Sequence, residues 1–106
     1  MFLCRSIAFG SLCLLSILAC ATASAADAPD VQKGAKLYAQ YCTGCHIRLV
    51  GGDGTAIHTR KDSIIHNLNA LQQRVAFCST QINAHLFPDE EADIAAWLNG
   101  KFYRFK

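Results

Sequence analysis

Cys42-Thr43-Gly44-Cys45-His46 places two thiols and an imidazole within five residues. Thiols three apart on a helical turn reach the two vinyl groups on one edge of a porphyrin and add across them as thioethers. The next residue then swings its imidazole beneath the iron. Cys-x-x-Cys-His is therefore the attachment pattern of a c-type haem. Cys42 and Cys45 are the expected covalent anchors and His46 the expected proximal iron ligand. A zinc site would want a second Cys-x-x-Cys or a His-x3–5-His at a usual spacing, and neither is present. A thioredoxin-like redox pair needs a βαβ context that the pattern lacks. A plain Cys42–Cys45 disulfide would leave His46 unexplained.

Haem is attached covalently on the far side of the inner membrane, so the motif implies export. Residues 1–26 read as a secretory signal: Arg5 supplies the positive charge, Ile7 to Leu18 the apolar run, and Ala19 to Ala26 the small residues. Ala23-Ser24-Ala25 and Ser24-Ala25-Ala26 offer cleavage just before or just after Ala26. A competing reading is the lipoprotein-like Ile17-Leu18-Ala19-Cys20, in which Cys20 becomes an acylated first residue. The expected location is the periplasm, with a membrane contact only if Cys20 carries lipid.

Cleavage after Ala26 removes Cys4, Cys13 and Cys20 and leaves a single domain over residues 27–106. Arg5 goes too, so nine basic residues face eight acidic ones, a formal charge of +1. No basic block suits nucleic acid. So short a chain buries little apolar surface unless something fills its middle, and a haem would. If Cys42 and Cys45 hold one haem, Cys78 is left as an odd thiol. It reads as a small buried hydrophobe, with a thiolate ligand or an intermolecular disulfide as alternatives. A monomer is expected over a Cys78-linked dimer.

The elements that must position the motif are helices. Asp30 can cap a first helix running to about Thr43, with Val31, Ala35, Tyr38 and Cys42 on one face. Gly51-Gly52-Asp53-Gly54 is turn chemistry. Asp62 or Ser63 then starts a second helix, whose apolar face carries Ile64, Leu68, Leu71, Val75 and Cys78. Asp89 caps a third, with Glu90, Glu91 and Asp93 in its first turn, Ile94, Trp97 and Leu98 as its buried stripe, and Gly100 at its end. No segment alternates like a strand. The expected fold is all-α, a small arrangement of three main helices around the haem. The aromatic and basic C-terminus, Lys101 to Lys106, reads as folding back over the core through Phe102 and Phe105, or else as an exposed docking tail.

Over residues 30–99 the chain resembles the class I cytochrome c family. That family puts Cys-x-x-Cys-His at the end of an N-terminal helix bearing a glycine and an aromatic one turn later, here Gly34 and Tyr38. Its last helix carries an aromatic followed by leucine that packs on the glycine, here Trp97-Leu98. The resemblance implies one covalent haem c, redox proteins as partners, and single-electron transfer rather than catalysis.

One family feature is missing. Class I carriers usually bind the second face of the iron through a methionine in the loop before the last helix, and the one methionine here is Met1. His85, in the loop before Pro88, is the candidate sixth ligand. His58, after the glycine loop, is another, while His66 shares a polar helix face with Asp62, Asn69 and Gln73. A vacant site is the remaining option. The order Cys78, Pro88, Ala96-Trp97-Leu98 is similar to small high-spin cytochromes c that bind diatomic ligands. In those, the residue before the corresponding cysteine is the displaceable ligand; here it is Phe77, which cannot coordinate iron, and their second, disulfide-forming cysteine is absent. The alternative function is therefore a high-spin haem protein that binds a diatomic ligand or peroxide.

Overall fold

Asp30 starts the first helix as the sequence requires. Its carboxylate accepts the backbone N–H of Lys33 at 3.0 Å, satisfying one of the orphan donors of a helix start. The computed structural model describes residues 28–106, and the leader expected over residues 1–26, Cys20 included, lies outside them. Helix α1 spans Val31–Tyr41, α2 Thr43–Val50, α3 Ala56–Thr59, α4 Leu68–Gln81 and α5 Pro88–Leu98; a π-helical turn follows at Asn99–Tyr103. Among the described residues there is no strand, so the fold is all-α. The three long helices are α1, α4 and α5. The short α2 and α3 flank the glycine loop. No described helix is long and apolar enough to cross a membrane.

Three helix boundaries differ from the expected ones, each for a local reason. Helix α4 begins at Leu68 rather than after Asp62 or Ser63, because Asn67 caps it by accepting the Ala70 N–H at 2.8 Å. Asp62 is engaged by the Arg60 guanidinium at 2.9 Å, and Ser63 Oγ accepts the Ile65 N–H at 3.2 Å. Such local bonds compete with helix formation. Ile64 consequently lies outside α4 and is 64% exposed. Helix α5 begins at Pro88, whose fixed φ and missing N–H suit a first helical position. The cap position is thus Phe87, not Asp89, and the Glu90 carboxylate reaches back to accept the Phe87 N–H at 3.0 Å. Gly100 does not end the helix: α5 widens into the π-helical turn, and the chain leaves it at Arg104 with φ 58°.

Helices α1 and α5 cross at Gly34. A Cβ there would sit 2.5 Å from the Asp93 carbonyl carbon and 3.0 Å from the Ile94 nitrogen, so only glycine permits this backbone-to-backbone approach. The atoms nearest that position are thus backbone of Asp93 and Ile94, while Trp97 packs on Tyr38, ring centroids 4.8 Å apart. Asp93, expected in the first turn of its helix, lies beyond it and is buried. It accepts the Asp30 N–H at 2.7 Å and has Lys33 Nζ 3.9 Å away. The cap of α1 is therefore tied to α5 by a bond spanning nearly the whole domain.

The buried apolar core is small: Tyr38, Leu71, Val75, Ile94, Ala95 and Leu98. The C-terminus folds back over it. Asn99 clamps the chain end, its amide donating to the Phe105 carbonyl at 3.0 Å and its carbonyl accepting the Phe105 N–H at 2.8 Å. Phe102 stacks on His58 at 5.1 Å and Phe105 on Tyr103 at 5.6 Å. Lys101 lies over Trp97.

Candidate haem site

The pentapeptide straddles a helix junction. The Cys42 N–H bonds to the Tyr38 carbonyl at 2.9 Å and closes α1, while its own carbonyl accepts the His46 N–H at 3.2 Å and opens α2. Cys45 and His46 thus sit in the first turns of α2, on a new helix rather than at the end of the first. Gly54 fixes His46 from outside. It adopts φ +81°, and a Cβ there would lie 2.9 Å from both the His46 Cβ and the Ile47 nitrogen. The glycine loop therefore folds flat against the backbone of the motif, which a side chain would prevent.

Cys42, Cys45 and His46 line one cavity of about 400 Å³. Leu71, Val75, Ile94 and Leu98 form its floor, and Cys78 faces it from α4. At its edge Leu49, Ile64 and Phe77 are 66%, 64% and 54% exposed, a concentration of apolar surface left bare around an apolar hollow. Its size and lining are those of a ligand site with few polar groups. Cys42, Cys45 and Cys78 are free thiols. Burial, with smaller contributions from Cys78 and Cys45, pushes the Cys42 thiol up to about 11. Among the described residues no three His, Cys, Asp or Glu side chains converge on a point where a bare ion would sit. The donor set fits an iron that arrives in its own macrocycle: two thiols for the vinyls, one imidazole for the metal, and an apolar hollow for the ring.

Beside His46, along the lining of the same cavity, runs a chain of polar side chains that the spacing of the sequence did not connect. Tyr38 Oη is 2.8 Å from His46 Nδ1 and 2.8 Å from His58 Nε2. His58 Nδ1 is in turn 3.0 Å from Tyr103 Oη. Tyr38 is 4% exposed, and burial raises its phenol beyond the ordinary range. Burial also lowers His46, and burial followed by the nearby His46 lowers His58 to about 4. His58 is therefore neutral at pH 7. A signal for Tyr38 existed in the spacing, since residues 38, 42 and 46 stand one helical turn apart. Tyr103 gave none, because it arrives through the unforeseen π-helical turn.

The remaining candidate residues separate cleanly. His58 lines the cavity next to His46, ring centroids 5.1 Å apart, with both its ring nitrogens engaged by tyrosines. His85 is exposed, adopts φ 55°, and does not line the cavity. His66 is exposed. Cys78 faces the cavity half-buried.

An all-helical domain that presents Cys-x-x-Cys-His to an apolar hollow defines a small c-type cytochrome. The family described as cytochrome C oxidase, cbb3-type, subunit III matches residues 29–98, and the chain belongs to it. No curated protein and no solved structure matches the chain. Membership brings a covalently bound haem c, haem-based electron transfer and redox partners.

Proposed function

We propose that this chain is an exported, class I-like monohaem cytochrome that carries single electrons between redox proteins of the periplasm, without a methionine on its iron. The observation that carries this reading is the convergence of Cys42, Cys45 and His46 on one apolar cavity. When bound, the haem supplies an iron that alternates between ferric and ferrous states. The chain supplies the rest: Cys42 and Cys45 hold the ring, His46 presents Nε2 because Nδ1 is engaged by Tyr38, and the core floor keeps water from one face. Export is supported by the leader-like residues 1–26, which also fit the compartment where haem is attached. The lack of any methionine after Met1 removes the usual contribution to a high potential, so the midpoint is expected well below that of a His–Met carrier.

The test is the visible spectrum of the holoprotein, oxidised and reduced, with and without carbon monoxide, together with haem staining after denaturing electrophoresis. Retained haem and a spectrum indifferent to the gas support a closed electron carrier. A high-spin spectrum that shifts with the gas moves the function to ligand binding. Loss of haem on denaturation refutes covalent attachment, and haem retained by the Cys42→Ala, Cys45→Ala double variant refutes its site.

A further inference from the structure

We infer that Tyr38, His58 and Tyr103 form a one-way hydrogen-bond relay that holds a proton on His46 Nδ1 and tunes the proximal ligand, with Tyr38 as its positioning residue. The inference rests on His46 as the iron ligand and goes beyond it. Both imidazoles have two ring nitrogens, and the direction of every bond follows from one constraint. His46 must keep Nε2 bare to bind a metal, so a neutral ring carries its proton on Nδ1. That N–H then donates to Tyr38 Oη, 2.8 Å away. Tyr38 accepts there and directs its own O–H to His58 Nε2, also at 2.8 Å. His58, accepting at Nε2, carries its proton on Nδ1 and donates it to Tyr103 Oη at 3.0 Å. The reverse orientation would put the His46 proton on Nε2 and block the metal.

The relay is built into the fold rather than decorating its surface. Tyr38 belongs to the core, wedged against Trp97. Phe102 stacks on the His58 ring, and the Asn99 clamp holds the segment that brings Tyr103 across. A partner fixed on the second nitrogen of a ligating histidine sets its orientation and raises its basicity. A more basic imidazole favours the ferric iron over the ferrous. Each donor–acceptor link beyond the first makes Tyr38 a better acceptor, so the influence of the three residues should fall off with distance from His46.

The experiment is a potentiometric titration of the holoprotein and its variants, after haem content has been established by the alkaline pyridine spectrum. Tyr38→Phe keeps the ring and deletes the acceptor. It is expected to shift the ferric-to-ferrous preference about tenfold toward ferrous, which is about 59 mV upward for one electron. His58→Leu is expected to shift the potential the same way by less, and His58→Gln, whose amide oxygen can still accept from Tyr38, to restore most of the wild-type value. Should Tyr38→Phe fail to fold, the His58→Leu and His58→Gln pair decides alone. Potentials unchanged across variants that merely unfold earlier would overturn the relay and leave a structural role. A wild-type protein without covalent haem would overturn the function proposed above, and the relay with it.

Discussion

Gly34→Ala adds one methyl group and is expected to be among the most harmful small changes in the domain. In an isolated helix the same change would help, because alanine exceeds glycine by about 1 kcal/mol in helix propensity. Here the new Cβ would lie 2.5 Å from the Asp93 carbonyl carbon. The Asp93 carbonyl oxygen is closer still, and ordinary contact begins near 3.4 Å, so α1 and α5 must part by more than about 1 Å. The opposing atoms are backbone and cannot rotate aside. Overpacking of a close-packed interior costs roughly 1–3 kcal/mol, and the upper figure applies where only main chain faces the intruder. Set against the propensity gain, the net loss is about 2 kcal/mol. For a domain this small that lowers the melting temperature by roughly 8–16 °C.

The assay is thermal unfolding of the holoprotein followed by far-ultraviolet circular dichroism. Gly100→Ala is the internal control, since nothing lies within 4 Å of a Cβ there; it is expected within about 0.5 kcal/mol of wild type. A Gly34→Ala protein that melts at or above the wild-type temperature would refute the α1–α5 contact. Equal losses for both variants would show that the effect is not specific to the crossing.

Gly54→Ala is expected to lower the yield of holoprotein, because a Cβ at φ +81° would press on the His46 Cβ and adds roughly 1–2 kcal/mol of left-handed strain; normal yield and spectrum would argue against the cradle. His85→Ala is expected to leave the oxidised and reduced spectra unchanged, since His85 lies outside the cavity lining; a changed spin state would instead make it the sixth ligand. Burial raises the Cys78 thiol, so its reactive thiolate is scarcer than that of an ordinary cysteine at any pH near neutrality. Alkylation of Cys78 in the holoprotein is expected to run slower than that of glutathione at pH 8 and to go on accelerating above pH 9. A rate that levels off by pH 9 would contradict this.

The Cys-x-x-Cys-His pattern can be read without the fold because covalent haem chemistry demands fixed residue types at fixed spacing; the structure adds that Cys42, Cys45 and His46 line one cavity. The long helices were legible from their apolar spacing. Their ends were not, because side-chain partners decided them: Asn67 outcompeted Asp62 and Ser63, which found nearer partners in Arg60 and Ile65. Gly34 was noticed through its neighbours in a resemblance, but its true opposite, the Asp93 backbone, is a tertiary fact. His58 reads as a candidate to reach over the haem; in the fold it lines the same cavity as His46, and its Nε2 is held 2.8 Å from Tyr38 Oη. Spacing along a chain can say that residues share a face. It cannot say which hydrogen-bond partners they will find there.

Tyr38 joins the core packing and the hydrogen bond to His46 in one side chain. Its ring is core, packed on Trp97, while its hydroxyl is the only partner found for His46 Nδ1 among the described residues. Gly34 lies one turn before it on α1, at the crossing that presses α1 onto α5. A forced separation of those helices therefore moves Tyr38, which itself lines the cavity, relative to Trp97. If the phenol only fills space, variants at Gly34 and Tyr38 should lower the melting temperature and leave the potential where it was. If the phenol also holds the His46 proton, potential and melting temperature should part company. Tyr38→Phe would then move the potential more than its lost stability accounts for, and His58→Gln would recover the potential without recovering the stacking on Phe102.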